Sequence, residues 1–132
     1  MLETLTVNPG STGTNQRIDT MKKLEIIIKP GKLDAVRQAI KATGYSGMTV
    51  SQVEGHGNQK GLIKKKEVGT YRLEMLPKIK LEIIVPSSVL ESVVQSISKA
   101  AHTGHPGDGK IFVSDVSDVI RIRTGERGQK AI

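Results

Sequence analysis

The apolar positions of the chain form two similar halves, and each half predicts a strand, a helix and a second strand. In the first half, the run LEIIIK that follows Lys23 is typical of a strand. Apolar residues then recur at helical spacing up to Gly44, which predicts a helix that ends there. Residues 48–53 alternate apolar and polar side chains, which predicts the second strand.

The second half begins with a copy of the first, because residues 80–84 repeat the sequence KLEII of residues 23–27. A helix is predicted after Pro86, with Ser88 and Glu91 at the spacing of a capping box. Strands are predicted over residues 111–116 and 119–123. The predicted buried stripe of this helix comprises Leu90, Val93, Val94, Ile97 and Ala101.

The order of these elements predicts an α+β fold, the ferredoxin-like βαββαβ sandwich, in which both helices cover one face of an antiparallel sheet. Residues 26–28 and 83–85 are apolar in succession, so they place apolar side chains on both faces of the sheet. The chain has no further helices to cover the second face. We therefore expect an oligomer in which sheet faces pack together.

The chain is long enough for one domain, which we place at residues 21–132. Residues 1–20 are rich in Thr, Gly, Asn and Ser and are expected to be a disordered extension or a cloning remnant; a short edge strand over residues 5–7 is the alternative. Residues 55–77 are predicted to form one long loop. Loops of this length in a compact domain usually have a function.

The net charge of +7 favours anionic partners: nucleic acids, phosphorylated small molecules or acidic protein faces. The absence of cysteine excludes disulfides and thiolate metal sites, and the three histidines lack a metal-ligand spacing. No window is apolar enough to span a bilayer and no signal peptide is evident, so we expect a cytoplasmic protein.

Several groups in the sequence favour anion binding. The segment from Gly104 to Lys110 has the glycine and lysine spacing of a phosphate loop, but Ile111 follows where a magnesium ligand is needed. A plain turn is the alternative. Arg121 and Arg123 are two apart on a predicted strand, so their guanidinium groups would share one face as a phosphate clamp, or be solvated there.

Over residues 21–132 the chain resembles the P-II nitrogen-regulatory signal-transduction proteins. The matching segments are Gly47–Val50, Gly57–Gly61, Leu76–Lys78, Thr103–Gly104, Gly107–Val113 and Ile120–Glu126. The resemblance implies a homotrimer with ATP or ADP in each cleft between subunits, and a magnesium-dependent site for 2-oxoglutarate. It also implies that a flexible T-loop, about residues 57–76, docks on protein targets.

The site residues implied by the resemblance fall into three groups. The expected nucleotide contacts are Thr49, Gly55, Gly57, Gln59, Gly107, Asp108, Gly109, Lys110, Arg121 and Arg123. The expected 2-oxoglutarate contacts are Gln59, Lys60, Gly61 and Lys78. Gln59 is also the expected magnesium ligand, and Tyr71 matches a tyrosine that is uridylylated in some bacteria.

The T-loop departs from the family pattern at Asn58, Glu67 and Gly69, and its tip reads LIKKKEV. The target therefore stays open between an ammonium transporter, a glutamine synthetase and another regulator, with contact to the membrane only through a transporter. The alternative function is that of a P-II-like paralogue that senses adenine nucleotides only.

An RNA-binding module is disfavoured because Phe112 is the only aromatic residue on the predicted sheet. We expect a regulatory binding protein rather than an enzyme, with slow ATP hydrolysis as a side reaction at most.

Overall fold

The computed structural model describes residues 20–45, 47–55 and 75–132. Its strands and α-helices are β1 (Met21–Ile28), α1 (Leu33–Ala42), β2 (Thr49–Gly55), β3 (Leu76–Pro86), α2 (Leu90–Ala101) and β4 (Gly109–Val116). Short 3-10 helices cover Pro30–Lys32, Ser87–Val89 and Gly128–Ala131.

The described strands form one antiparallel sheet in the order β2-β3-β1-β4. The two repeated strands, β1 and β3, are the central pair, and the strands that come after each helix lie at the edges. This arrangement confirms the predicted ferredoxin-like α+β fold.

Both helices pack on the same face of the sheet. The strand side chains that face them alternate along the sequence, as Leu24, Ile26 and Ile28 do in β1, and each is at most 2% exposed. Val36 and Ile40 of α1, with Val93, Ile97 and Ala101 of α2, complete this core. A Leu, Ile and Val core of this kind explains how the chain folds with almost no aromatic residues.

The other face of the sheet carries paired charges and half-buried isoleucines. Glu25 of β1 lies directly opposite Glu82 of β3. Each carboxylate is paired with a lysine from the other strand, Lys80 with Glu25 at 3.3 Å and Lys23 with Glu82 at 3.1 Å. The repeated KLEII sequence therefore forms a nearly symmetric group of four charges, because the two copies run antiparallel.

Two local predictions are wrong. Ser88 and Glu91 do not form a capping box: the 3-10 turn shifts the start of α2 to Leu90, Val89 is its N-cap, and no side chain caps it. Residues 119–123 do not form a strand either. They contain one isolated bridge, between Ile120 and Arg127, and then a turn that closes a short loop.

Neither α-helix in the described ranges is long and apolar enough to cross a membrane. Most of the predicted T-loop lies outside the described residues, including Gly57, Gln59, Lys60, Gly61 and Tyr71. So does the predicted extension up to residue 19, with its alternative edge strand.

Candidate anion-binding site

The glycine-rich segment 104–109 connects the end of α2 to the start of β4. Gly109 begins β4 with φ of +113°, and a Cβ atom at this position would lie 1.7 Å from the carbonyl oxygen of Ile27. Only glycine allows β4 to approach β1 this closely with that backbone conformation. The turn leads directly into a strand, whereas a P-loop leads into a helix. The segment therefore does not form a P-loop, which agrees with the sequence analysis.

The carboxylate of Asp108 organises this turn from within. Its Oδ2 accepts hydrogen bonds from the backbone N–H groups of Thr103 at 2.8 Å and Gly104 at 3.0 Å. Its Oδ1 accepts a hydrogen bond from the Thr103 hydroxyl and forms an ion pair with the Lys29 ammonium at 3.2 Å. These bonds close residues 103–108 into a compact ring.

Hydrogen bonding from the Thr103 hydroxyl, and then from the two N–H groups, holds the pKa of Asp108 well below its ordinary value. The Lys29 ammonium adds to this effect. Asp108 is therefore ionised at neutral pH, and its charge is directed into the turn and balanced there.

Two lysines from the ends of neighbouring strands reach the same turn. Lys29, just after β1, donates to the Thr103 hydroxyl at 3.1 Å in addition to its contact with Asp108. Lys78, near the start of β3, donates to the carbonyl oxygen of Gly107 at 2.9 Å. The turn is thus attached to the sheet by two cations.

Lys78 is the one buried charged residue in the described part of the chain, at 8% exposure. Burial lowers its pKa, and the neighbouring Lys29 lowers it further, while Asp108 acts in the opposite direction. Among the described residues, the Lys78 ammonium forms a hydrogen bond only with the neutral carbonyl of Gly107. A buried ammonium without a directly bound carboxylate is electrostatically suited to bind one.

The register of the sheet separates Thr49 from Lys110. Lys110 on edge strand β4 lies in one row with Ile27, Lys80 and Ser51, whereas Thr49 is on the opposite edge strand, paired with Glu82. Three strand spacings of about 4.8 Å place the two edges roughly 14 Å apart. Thr49 and Lys110 also line different cavities. Thr49 lines a cavity of about 620 Å³ together with Ile132, and Lys110 lines one of about 300 Å³.

The two arginines lie in the loop of residues 118–127 and have different surroundings. Arg121 forms an ion pair with Glu126, 3.0 Å between Nη1 and Oε1. Arg123 is exposed and has no hydrogen bond or ion pair to another described residue. Ile122 between them is 98% exposed, so its side chain does not pack against a sheet.

The structure therefore brings Lys78, Gly107, Asp108 and Gly109 together at one end of the sheet, and places Thr49 and the arginine loop apart from them. Sequence reasoning did not assign a role to Lys29 or Thr103 at this turn, or to Glu126 beside Arg121. Thr103 and Glu126 lie within the segments that carry the family resemblance, and this was the sequence signal that could have identified them. Lys29 lies outside those segments, and only its charge could have indicated a role. No group of three His, Cys, Asp or Glu side chains within the described ranges is arranged to hold a metal ion.

Comparison with known proteins gives one consistent match. The family model for "Nitrogen regulatory protein P-II" matches residues 21–126. Nitrogen regulatory protein P-II 1 of Escherichia coli K12 is 51% identical over 112 residues, and P-II of Azospirillum brasilense is 48% identical over 112 residues; both alignments cover 85% of this chain and 100% of the relative. The crystal structure of Arabidopsis thaliana PII bound to citrate superposes with a TM-score of 0.70 at 40% identity, covering 86% of this chain and 94% of that chain.

Proposed function

The chain belongs to the nitrogen regulatory protein P-II family, whose general role is nitrogen signal transduction, and from this premise we propose that it binds ATP or ADP and, with magnesium, 2-oxoglutarate. In this proposal the ligands set the state of the T-loop, which controls nitrogen-assimilation targets in the cytoplasm. The chain acts as a regulatory binding protein and not as an enzyme. The observation that carries the proposal is the lysine-anchored glycine turn between α2 and β4.

The turn has the features of a phosphate site. Gly107 and Gly109 both have positive φ, +94° and +113°, as glycines in anion-binding turns commonly do, and Lys110 is exposed at the start of β4. The one carboxylate in the turn, Asp108, is hydrogen-bonded inward and paired with Lys29. An incoming phosphate therefore meets lysine cations rather than a free negative charge.

Lys78 supports a dicarboxylate as the second ligand. Its ammonium is buried and donates to the carbonyl oxygen of Gly107 in the glycine turn. A carboxylate would give this ammonium an ionic partner, and the same turn would hold the nucleotide phosphates nearby. The predicted magnesium ligand Gln59 would supply an amide oxygen between the two anions.

The separation of Thr49 from Lys110 supports a site that is completed by a second copy of the chain. The two residues lie on opposite edge strands of one sheet, and these edges are roughly 14 Å apart. Placing the β2 edge of one copy beside the β4 edge of the next would bring both to one nucleotide. A homotrimer contains three such clefts and also covers the face that carries Ile27 and Ile84.

The test is calorimetric titration of ATP with magnesium, without and then with 2-oxoglutarate. We expect 2-oxoglutarate to bind only when MgATP is present. We expect Lys78→Met to weaken 2-oxoglutarate binding by about 10- to 100-fold, because a charged hydrogen-bond partner is lost, while ATP binding changes much less.

Lys80→Met is the matched control, since Lys80 is on the same strand but pairs with Glu25 on the sheet face. Equal losses in both variants would contradict the assigned role of Lys78. ATP binding without any response to 2-oxoglutarate would instead favour the alternative, a paralogue that senses adenine nucleotides only. Absence of ATP binding would refute both.

A further inference from the structure

The two arginines that are predicted to bind phosphate have different contacts in the loop of residues 118–127. The guanidinium of Arg121 donates from Nη1 to Glu126 Oε1 at 3.0 Å and from Nη2 to the carbonyl oxygen of Lys130 at 3.3 Å. Arg123 has no such contact to another described residue. One arginine is therefore held in a defined orientation, and the other is not.

The carboxylate that holds Arg121 is itself fixed. Glu126 Oε1 accepts a hydrogen bond from the Thr124 hydroxyl at 2.9 Å, and the Glu126 N–H donates back to Thr124 Oγ1 at 3.2 Å. Two backbone bonds close the same loop, from Arg121 N–H to the Glu126 carbonyl at 2.9 Å and from Gly125 N–H to the Arg121 carbonyl at 2.7 Å. Residues 124–126 thus form a hydrogen-bonded support for the Arg121 side chain.

The ion pair orients the guanidinium without saturating it. A guanidinium group has five N–H donors, and Glu126 and Lys130 use one each in this structure. Three donors remain for an anion. The loss of freedom that a flexible arginine would otherwise suffer on binding has already occurred in the folded loop.

We propose that Glu126 is a positioning residue that presents Arg121 to the phosphates of the bound nucleotide. This inference rests on the proposed ATP-binding function and adds a residue to that site which contacts no nucleotide itself. The Arg123 side chain can adjust to the ligand. In this proposal Arg121 provides a pre-oriented contact to the phosphates and Arg123 provides an adaptable one.

The carboxylate has a second, opposing effect, because its negative charge disfavours a nearby phosphate. The side chains of Arg121 and Glu126 are 41% and 42% exposed, so water and salt screen this repulsion. Orientation of the side chain is not screened. We therefore expect the positioning effect to be the larger one.

The test is a double-mutant cycle on MgATP affinity. Glu126→Ala should weaken binding by about fivefold, the effect of freeing one ordered side chain. Glu126→Gln, which keeps an oxygen acceptor for Arg121, should recover most of the loss. In an Arg121→Gln background Glu126→Ala should have no further effect, whereas in an Arg123→Gln background it should keep its full effect.

Asp118→Ala is the matched control, because Asp118 forms the other ion pair of the same loop, 2.7 Å from Arg127, and also accepts from the Gly128 N–H. It should leave ATP affinity within twofold. Equal losses from Asp118→Ala and Glu126→Ala, unchanged or tighter binding by Glu126→Ala, or a loss that persists without Arg121 would overturn the inference alone. Absence of ATP binding by the wild-type chain would overturn the proposed function and the inference together.

Discussion

Replacing Gly109 with alanine tests the close contact on which the shape of the candidate site depends. The new Cβ atom would lie 1.7 Å from the carbonyl oxygen of Ile27, 2.8 Å from its carbonyl carbon and 3.2 Å from the Cα atom of Ile28. All three atoms belong to the backbone of the central strand β1. No side-chain rotation relieves the overlap, so β1 and β4 must separate locally.

Two costs add up in this variant. A residue with a Cβ atom at φ of +113° is strained by about 1–2 kcal/mol. Displacing packed backbone costs a further 1–3 kcal/mol or so, as overpacked cores do. We expect Gly109→Ala to lower the free energy of unfolding by about 2–5 kcal/mol, and to weaken MgATP binding because the glycine turn ends at the displaced residue.

Two alanine controls separate these costs. Gly125 has φ of +78° and no atom within 4 Å of its would-be Cβ, so Gly125→Ala should show the conformational strain alone, about 1–2 kcal/mol. Gly31 has neither a positive φ nor a close neighbour, and its replacement should be neutral or stabilising by up to about 1 kcal/mol.

The measurement is urea unfolding of all three variants at one protein concentration, because the proposed self-association would make stability depend on concentration. Similar losses for Gly109→Ala and Gly125→Ala would refute the argument from the contact with Ile27.

Two further predictions concern the turn and the core. Because the pKa of Asp108 is lowered in the folded chain, the ionised carboxylate stabilises the fold fully above its ordinary pKa of 3.8, and this stabilisation is lost as the pH falls below that value. Unfolding measured from pH 7 to pH 2 should therefore show a smaller acid-dependent loss of stability in Asp108→Asn than in the wild type, with Asp34→Asn on the exposed surface of α1 as the charge control. An identical loss in Asp108→Asn and the wild type would contradict the assignment. Ile97→Ala, at a fully buried position of α2, should lower the free energy of unfolding in urea by about 2–5 kcal/mol. Ser98→Ala, at the exposed neighbouring position, should change it by no more than about 0.5 kcal/mol. A loss under about 1 kcal/mol in Ile97→Ala would contradict the described packing.

Element type and order could be predicted from the sequence because they depend on local periodicity. The alternation in β1 and β3 and the helical spacing in α1 and α2 each reflect one buried face, and the repeated KLEII sequence identified the two equivalent strands. The predictions failed where a neighbouring part of the chain decides the outcome. Residues 119–123 have a strand-like sequence, but within the described part of the chain they have no partner strand, and Ile120 forms an isolated bridge with Arg127 instead.

The candidate site could be predicted from the sequence only through the resemblance, and only as a set of residue types. The sequence placed Asp108 among the nucleotide contacts, but it could not indicate that the carboxylate is directed toward Thr103 and Lys29. It also could not distinguish Arg121 from Arg123, because the ion pair with Glu126 depends on how the loop folds back. Roles assigned to Gln59, Lys60 and Tyr71 remain predictions.

The family, the fold class and the basic character of the chain could be predicted from the sequence alone, because short motifs, periodicity and composition, respectively, indicate them. The tertiary structure decided which charges are already paired, which cation is buried and which glycine permits close approach of two strands. These properties depend on distances between residues far apart in the chain, such as Lys78 and Gly107, and local sequence does not encode such distances.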